Sequence, residues 1–208
     1  MSNITPPIPE GGFGCIVSDP PWYFAVRSPK GAGRSPDQHY NTMSIDDIKA
    51  LPVRDWAAKD CVLLLWAIDP MLPQALDVIS AWGFTFKTVG FYWTKTNRDG
   101  SPFTGMGYWT RANPEQCILA TRGHPKRLNT NVRRLITSQR REHSRKPEEF
   151  YERVPQLCGG PYLDMFSRTP RPNWHQFGNQ TDKFAETNTD ISTQNTHATE
   201  PTNNIILP

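Results

Sequence analysis

The chain has 208 residues, a formal net charge of +3 and 37% hydrophobic residues, which suits one domain with a real core rather than a stapled mini-protein. Its longest apolar run, Cys61 to Ile68, is far short of the roughly 20 residues that span a bilayer. Met1 to Gly14 has neither the basic nor the apolar region of a secretory signal, so the expectation is a cytoplasmic protein without a membrane partner. Charge is unevenly spread: nine Arg or Lys and one acid, Glu142, lie between Arg122 and Lys146, leaving the rest of the chain at −5. An acidic body with one basic stretch suits a polyanion partner, the alternative being a solvated loop.

In chain order, Phe13 to Ser18 is a short apolar, β-branched run stopped by Asp19-Pro20-Pro21, and predicts a buried strand ending at a carboxylate. Tyr23 to Tyr40 holds two prolines and two glycines and predicts a long loop. Ser44-Ile45-Asp46-Asp47 has the pattern of a capping box and opens a short helix that Pro52 closes. Cys61 to Ile68 is apolar without alternation, as expected of a central strand covered on both faces. Leu72, Ala75, Leu76, Ile79 and Trp82 follow at helical spacing, and Gly83 ends that crossover helix.

Phe84 to Lys95 predicts the next strand and Glu115 to Thr121 another, before the basic stretch begins. Lys146 to Leu157 has Pro147 near its first turn and acids close behind, which marks a helix N-terminus, and Pro155 is expected to end or kink it. Tyr162 to Ser167 is a last strand, followed by Pro-rich Thr169 to Trp174. Such alternation predicts an α/β domain, a mostly parallel sheet with covering helices over residues 1–180. Residues 181–208, with seven threonines and few apolar residues, predict a disordered polar tail. Cys15, Cys61, Cys117 and Cys158 lack metal-ligand spacing, and three of them sit in apolar stretches. They are expected in the core, and no metal site is expected.

The sharpest chemical signal is Asp19-Pro20-Pro21-Trp22 at the C-terminal end of a predicted central strand, where open α/β sheets place ligands. Two prolines fix φ and remove backbone donors. They leave the Asp19 carboxylate and the Pro20 carbonyl as rigid acceptors beside the flat apolar face of Trp22, an arrangement suited to an amino group on a flat ring. There is no G-x-G-x-x-G after a strand, so nothing points to a nucleotide triphosphate or NAD site.

These four residues, with His39-Tyr40, the run Trp93 to Asn97, Glu115-Gln116-Cys117, the run His143 to Glu149 and the run Tyr162 to Gln180, resemble the MT-A70 family of adenine-N6 methyltransferases over residues 10 to 180. The resemblance implies a Rossmann-like methyltransferase sheet with helices on both faces, the catalytic motif preceding the cofactor-binding strand, and S-adenosyl-L-methionine as cofactor. It implies that Asp19, Pro20, Pro21 and Trp22 form the catalytic motif and that Lys146 pairs with the methionine carboxylate. Arg168, Asn179 and Gln180 are then near the ribose, with Asp164 close by, while Tyr40 encloses the base and Glu115 lies near it. The basic stretch, represented by Arg133, Arg134, Arg140 and Arg141, would bind phosphates. DNA is the favoured substrate, with RNA methylation or a non-catalytic nucleic-acid-binding subunit as alternatives. Target sequence and oligomeric state are not legible.

Overall fold

The structure is a computed structural model that describes residues 5–23, 42–107, 109–141, 145–181 and 183. Seven strands form one sheet: β1 (Phe13–Ser18), β2 (Ala57–Ala67), β3 (Thr85–Thr96), β4 (Glu115–Arg122), β5 (Leu135–Gln139), β6 (Tyr162–Met165) and β7 (Trp174–Phe177). Their spatial order is β5-β3-β4-β2-β1-β6-β7. β2 shows why an apolar run without alternation becomes a central strand. Leu63 and Leu65 enter one core and Val62, Leu64 and Trp66 the other, so neither face is left for water.

The helices divide between these cores. α1 (Ile45–Lys49), α2 (Val53–Trp56) and α3 (Leu72–Ala81) bury Ile48, Val53, Trp56, Ala75, Val78 and Ile79 in the first. α4 (Glu148–Leu157) buries Phe150 and Val154 in the second. This is the expected α/β Rossmann-like sheet with helices on both faces. Ser44 caps α1 as predicted, its hydroxyl accepting from the Asp47 backbone N–H at 3.1 Å. All four cysteines are buried in the core.

Three features depart from the sequence pattern. β4 runs antiparallel to both β2 and β3, whereas the other four pairings are parallel. The α3 crossover thus joins two like-directed strands across a position that β4 fills in the opposite sense. β5 and β7 are strands in segments that carried no strand signal, because each is short and largely polar (Leu-Ile-Thr-Ser-Gln and Trp-His-Gln-Phe). α4 continues two residues beyond Pro155. The missing proline donor falls within the last turn of the helix, where few hydrogen bonds remain to be lost.

Residues 24–41 and 184–208, which include most of the predicted loop and of the predicted tail, lie outside the described residues. No helix among the described residues is long and apolar enough to cross a membrane.

Candidate active site

β1, β2, β3, β5, β6 and β7 all finish at one edge of the sheet, and antiparallel β4 begins there. Asp19 follows the last residue of β1, Lys95 is next to last in β3, and Asn179 and Gln180 lie just beyond β7. Glu115 joins them only because β4 is reversed, since its first residue pairs with Trp93 near the end of β3. Lys146, two residues ahead of α4, reaches the same edge.

These side chains form one chain of charges. Lys146 Nζ lies 2.9 Å from Asp19 Oδ2 and 3.0 Å from Glu115 Oε2, while Lys95 Nζ pairs with Glu115 Oε1. Lys146 is 9% exposed and lies over the Trp66 ring at 5.0 Å. Burial opposes its charge, yet Asp19 and Glu115 outweigh burial and hold its pKa above the usual lysine value. Burial likewise opposes ionisation of Glu115, but the two lysines hold that carboxyl at about 2. Asp19 moves the other way. Burial raises its pKa, Lys146 offsets this only in part, and Glu115 adds to the rise.

Trp22 differs from expectation. It is 4% exposed, packs in the first core and donates its indole N–H to the Trp66 carbonyl at 3.2 Å. In this structure it anchors the turn to β2 rather than presenting an open stacking face. The Pro20 carbonyl already accepts the Trp22 backbone N–H at 2.8 Å, and the Pro21 carbonyl accepts that of Met43 at 3.0 Å. A carbonyl has two lone pairs, so Pro20 retains one acceptor site.

Beside Asp19 a small polar cleft is lined by Lys146, Tyr151, Asp164, Arg168 and Arg171. Asp164 is 2% exposed, and burial raises its carboxyl to about 6 against the favourable influence of Arg171, Ser167 and Tyr151. Its Oδ2 lies 3.6 Å from an Arg171 nitrogen but has no hydrogen-bond partner, and the buried Gln180 Oε1 has none either. Unsatisfied buried acceptors are costly, and that of Asp164 in the cleft fits a ribose hydroxyl. With the cations of Lys146 and Arg168 lining the same cleft for an anionic end, the donor set fits S-adenosylmethionine.

Tyr151 carried no predicted role. The Arg171 guanidinium lies 3.4 Å above the Tyr151 ring, bonds both Glu148 oxygens at 3.2 and 3.1 Å, and donates to the Thr169 carbonyl. It thereby fixes the loop after β6 against α4. No sequence spacing links these residues. Lys95, by contrast, stands in the Trp93 to Asn97 motif, and a cation within that motif was the available signal.

Other expected site residues are dispersed. Asn179 is exposed, and Tyr40 lies outside the described residues. β5 divides the four arginines: Arg133 and Arg134 precede it, while Arg140 and Arg141 follow it at the Asp19 edge. Arg134 donates to Thr88 Oγ1, and Arg141 is held by Glu148 at 2.7 Å. Among the described residues no cluster of His, Cys, Asp or Glu could hold a metal ion.

The MT-A70 family model matches residues 13–180. The type II methyltransferase M.MunI of a Mycoplasma species is 25% identical over 198 residues, covering 86% of this chain and 82% of that protein. The human N(6)-adenosine-methyltransferase catalytic subunit METTL3 is 27% identical over 83% of this chain. The mouse N(6)-adenine-specific methyltransferase METTL4 is also 27% identical over 83%. The chain spans 29% of METTL3 and 38% of METTL4. The matched span contains every strand, Asp19, Lys146 and the Asp164 cleft, and the chain belongs to the MT-A70 family, whose methyltransferases use S-adenosylmethionine as methyl donor.

Proposed function

We propose that the chain transfers a methyl group to N6 of adenine in DNA. The observation that carries this is the Asp19–Lys146–Glu115–Lys95 chain at the sheet edge, next to the unsatisfied acceptor of Asp164. An exocyclic amine on adenine is a weak nucleophile because its lone pair is delocalised into the ring. Lys146 holds Asp19 Oδ2, so the second carboxylate oxygen and the remaining lone pair of the Pro20 carbonyl are the acceptors offered to the two amine hydrogens. Accepting both favours a pyramidal nitrogen whose lone pair points away from them, a preorganised arrangement that needs no reorientation during reaction.

Bound S-adenosylmethionine would supply an electrophilic methyl group. Lys146 and Arg168 would hold its carboxylate, and Asp164 and Gln180 its ribose hydroxyls. Asp19, with its raised pKa, is placed to take the proton that N6 releases. DNA is preferred because the match with the type II methyltransferase extends over 82% of that protein, against 29% of METTL3.

The test is incubation with labelled cofactor and matched DNA and RNA oligomers, single- and double-stranded, followed by mass spectrometry of the nucleosides. N6-methyldeoxyadenosine as the main product supports the proposal. Methylation of the RNA alone would move the substrate to RNA, and methylation of cytosine would refute the assignment. Absence of S-adenosylhomocysteine binding by calorimetry would favour a non-catalytic subunit.

A further inference from the structure

Residues 97–114 join β3 to β4 and project from the Asp19 edge of the sheet. Asn113 fixes the base of this hairpin, its amide accepting from the Lys95 backbone N–H at 2.7 Å and donating to the Lys95 carbonyl at 2.9 Å and to that of Phe103. The clamped residue is the lysine that pairs with Glu115, so the hairpin is rooted on the charged chain itself. Further out, Gly105 donates its N–H to the Ala112 carbonyl at 2.8 Å. The hairpin closes so tightly that a Cβ at Gly107 would run into the Thr110 carbonyl oxygen.

This built turn carries Trp109 at φ +71°, a conformation unusual for a bulky residue, with 94% of its surface exposed. Five of the other six tryptophans are at most 4% exposed and Trp174 is half-buried. An isolated exposed indole has no folding rationale here. The hairpin that carries it is cationic: Arg98 and Arg111 lie on it, and Arg140 stacks over its Phe103 at 5.0 Å. The hairpin's acid, Asp99, is hydrogen-bonded to the Ser101 amide and hydroxyl. An aromatic face among cations is the arrangement that binds unpaired bases by stacking while the cations track phosphates. Trp109 is six residues from Glu115, which places it within about 20 Å of that carboxylate.

We propose that Trp109 is a stacking platform for a nucleobase of the substrate strand flanking the target adenine. The proposal rests on a nucleic-acid substrate, as argued above, and makes the β3–β4 hairpin a substrate-holding element separate from Asp19.

The exposed indole makes the test selective, because iodide reaches Trp109 in preference to the buried tryptophans. A short adenine-containing single-stranded DNA is titrated into the protein, with iodide quenching of tryptophan emission and anisotropy of the labelled oligomer read in parallel. Stacking predicts that the oligomer quenches emission and abolishes iodide access. Trp109→Ala should weaken its affinity roughly tenfold or more, and Trp109→Phe should keep it close to wild type. An oligomer that saturates by anisotropy while iodide access is unchanged would overturn the proposal, as would wild-type affinity in Trp109→Ala. So would conversion of a dimer to a monomer by Trp109→Ala with oligomer affinity unchanged, since the tip would then bind a second copy. None of these readouts needs methyl transfer, so failure of stacking and failure of the adenine assignment are separate results.

Discussion

The two halves of the sheet enclose two different kinds of space. Away from Asp19, a cavity of about 310 Å³ lies between Val62, Val89, Phe91 and Leu119 and the segment ahead of β5, with Lys126, Arg127 and Arg134 among its lining residues. At the Asp19 edge the cleft is much smaller, but it is lined by Lys146, Asp164, Arg168 and Arg171. Size favours the first and chemistry the second. The far cavity's apolar walls require no partner, whereas the near cleft maintains an ion-pair chain and an unsatisfied buried acceptor at a cost to stability. Costs of that kind collect where a ligand will offset them.

The largest expected difference between the halves is catalytic. Asp19→Ala should lower methyl transfer at least about 10²- to 10³-fold, because it removes a preorganised acceptor, while binding of the oligomer by anisotropy stays near wild type. Substitutions in the far cavity, such as Val89→Ala, should leave the rate constant of transfer unchanged in single-turnover measurements.

Lys146→Ala comes next. It leaves two partly buried carboxylates side by side without their shared cation, and removing one partner from such a cluster costs about 3 kcal/mol. Chemical denaturation should show that loss, and calorimetry should show S-adenosylhomocysteine binding weakened roughly ten- to a hundredfold. Unchanged values in both would break the argument that this lysine organises the edge.

Asp164 gives a smaller effect of opposite sign. Its carboxyl is raised from 3.8 to about 6 in the folded protein, so between those values the folded state binds the proton more tightly than the unfolded state. This group's contribution therefore falls as pH rises from about 4 to 6 and remains unfavourable above that range. Asp164→Asn should remove that slope and stabilise the protein at pH 7 by about 1 to 3 kcal/mol, while weakening S-adenosylhomocysteine binding. Thermal melting across pH checks the first effect and calorimetry the second.

The arginine pairs give the finest comparison. Arg140→Ala should flatten the slope of log K against log salt for duplex binding by about 0.9 unit. Arg133→Ala and Arg134→Ala, at the other end of β5, should leave it unchanged.

Much of the frame was legible in the sequence because burial on two faces leaves continuous apolar runs, as in Cys61 to Ile68, and because Asp19 ends such a run. β5 and β7 were hidden, since edge strands with one covered face need only a few apolar residues. The direction of β4 was also hidden, as Glu115 to Arg122 reads alike either way, and with it went the reason that Glu115 meets Lys146. Motif resemblance supplied the names of the site residues but not their partners. Lys146, expected on a cofactor carboxylate, also clamps two of the protein's own, and Trp22 was expected open and is seen packed. The division of Arg133–Arg134 from Arg140–Arg141 could not be read from residues so close in sequence.

The central claim, that the small charged cleft and not the larger cavity receives the cofactor, is tested most directly by mapping backbone amide shifts in the isotopically labelled protein during titration with S-adenosylhomocysteine. The account predicts shifts at Asp19, Lys146, Asp164 to Arg168 and Gly178 to Gln180, with Thr88 to Phe91 and Pro125 to Arg134 unmoved. Shifts concentrated around Val89, Leu119 and Arg127 would contradict it.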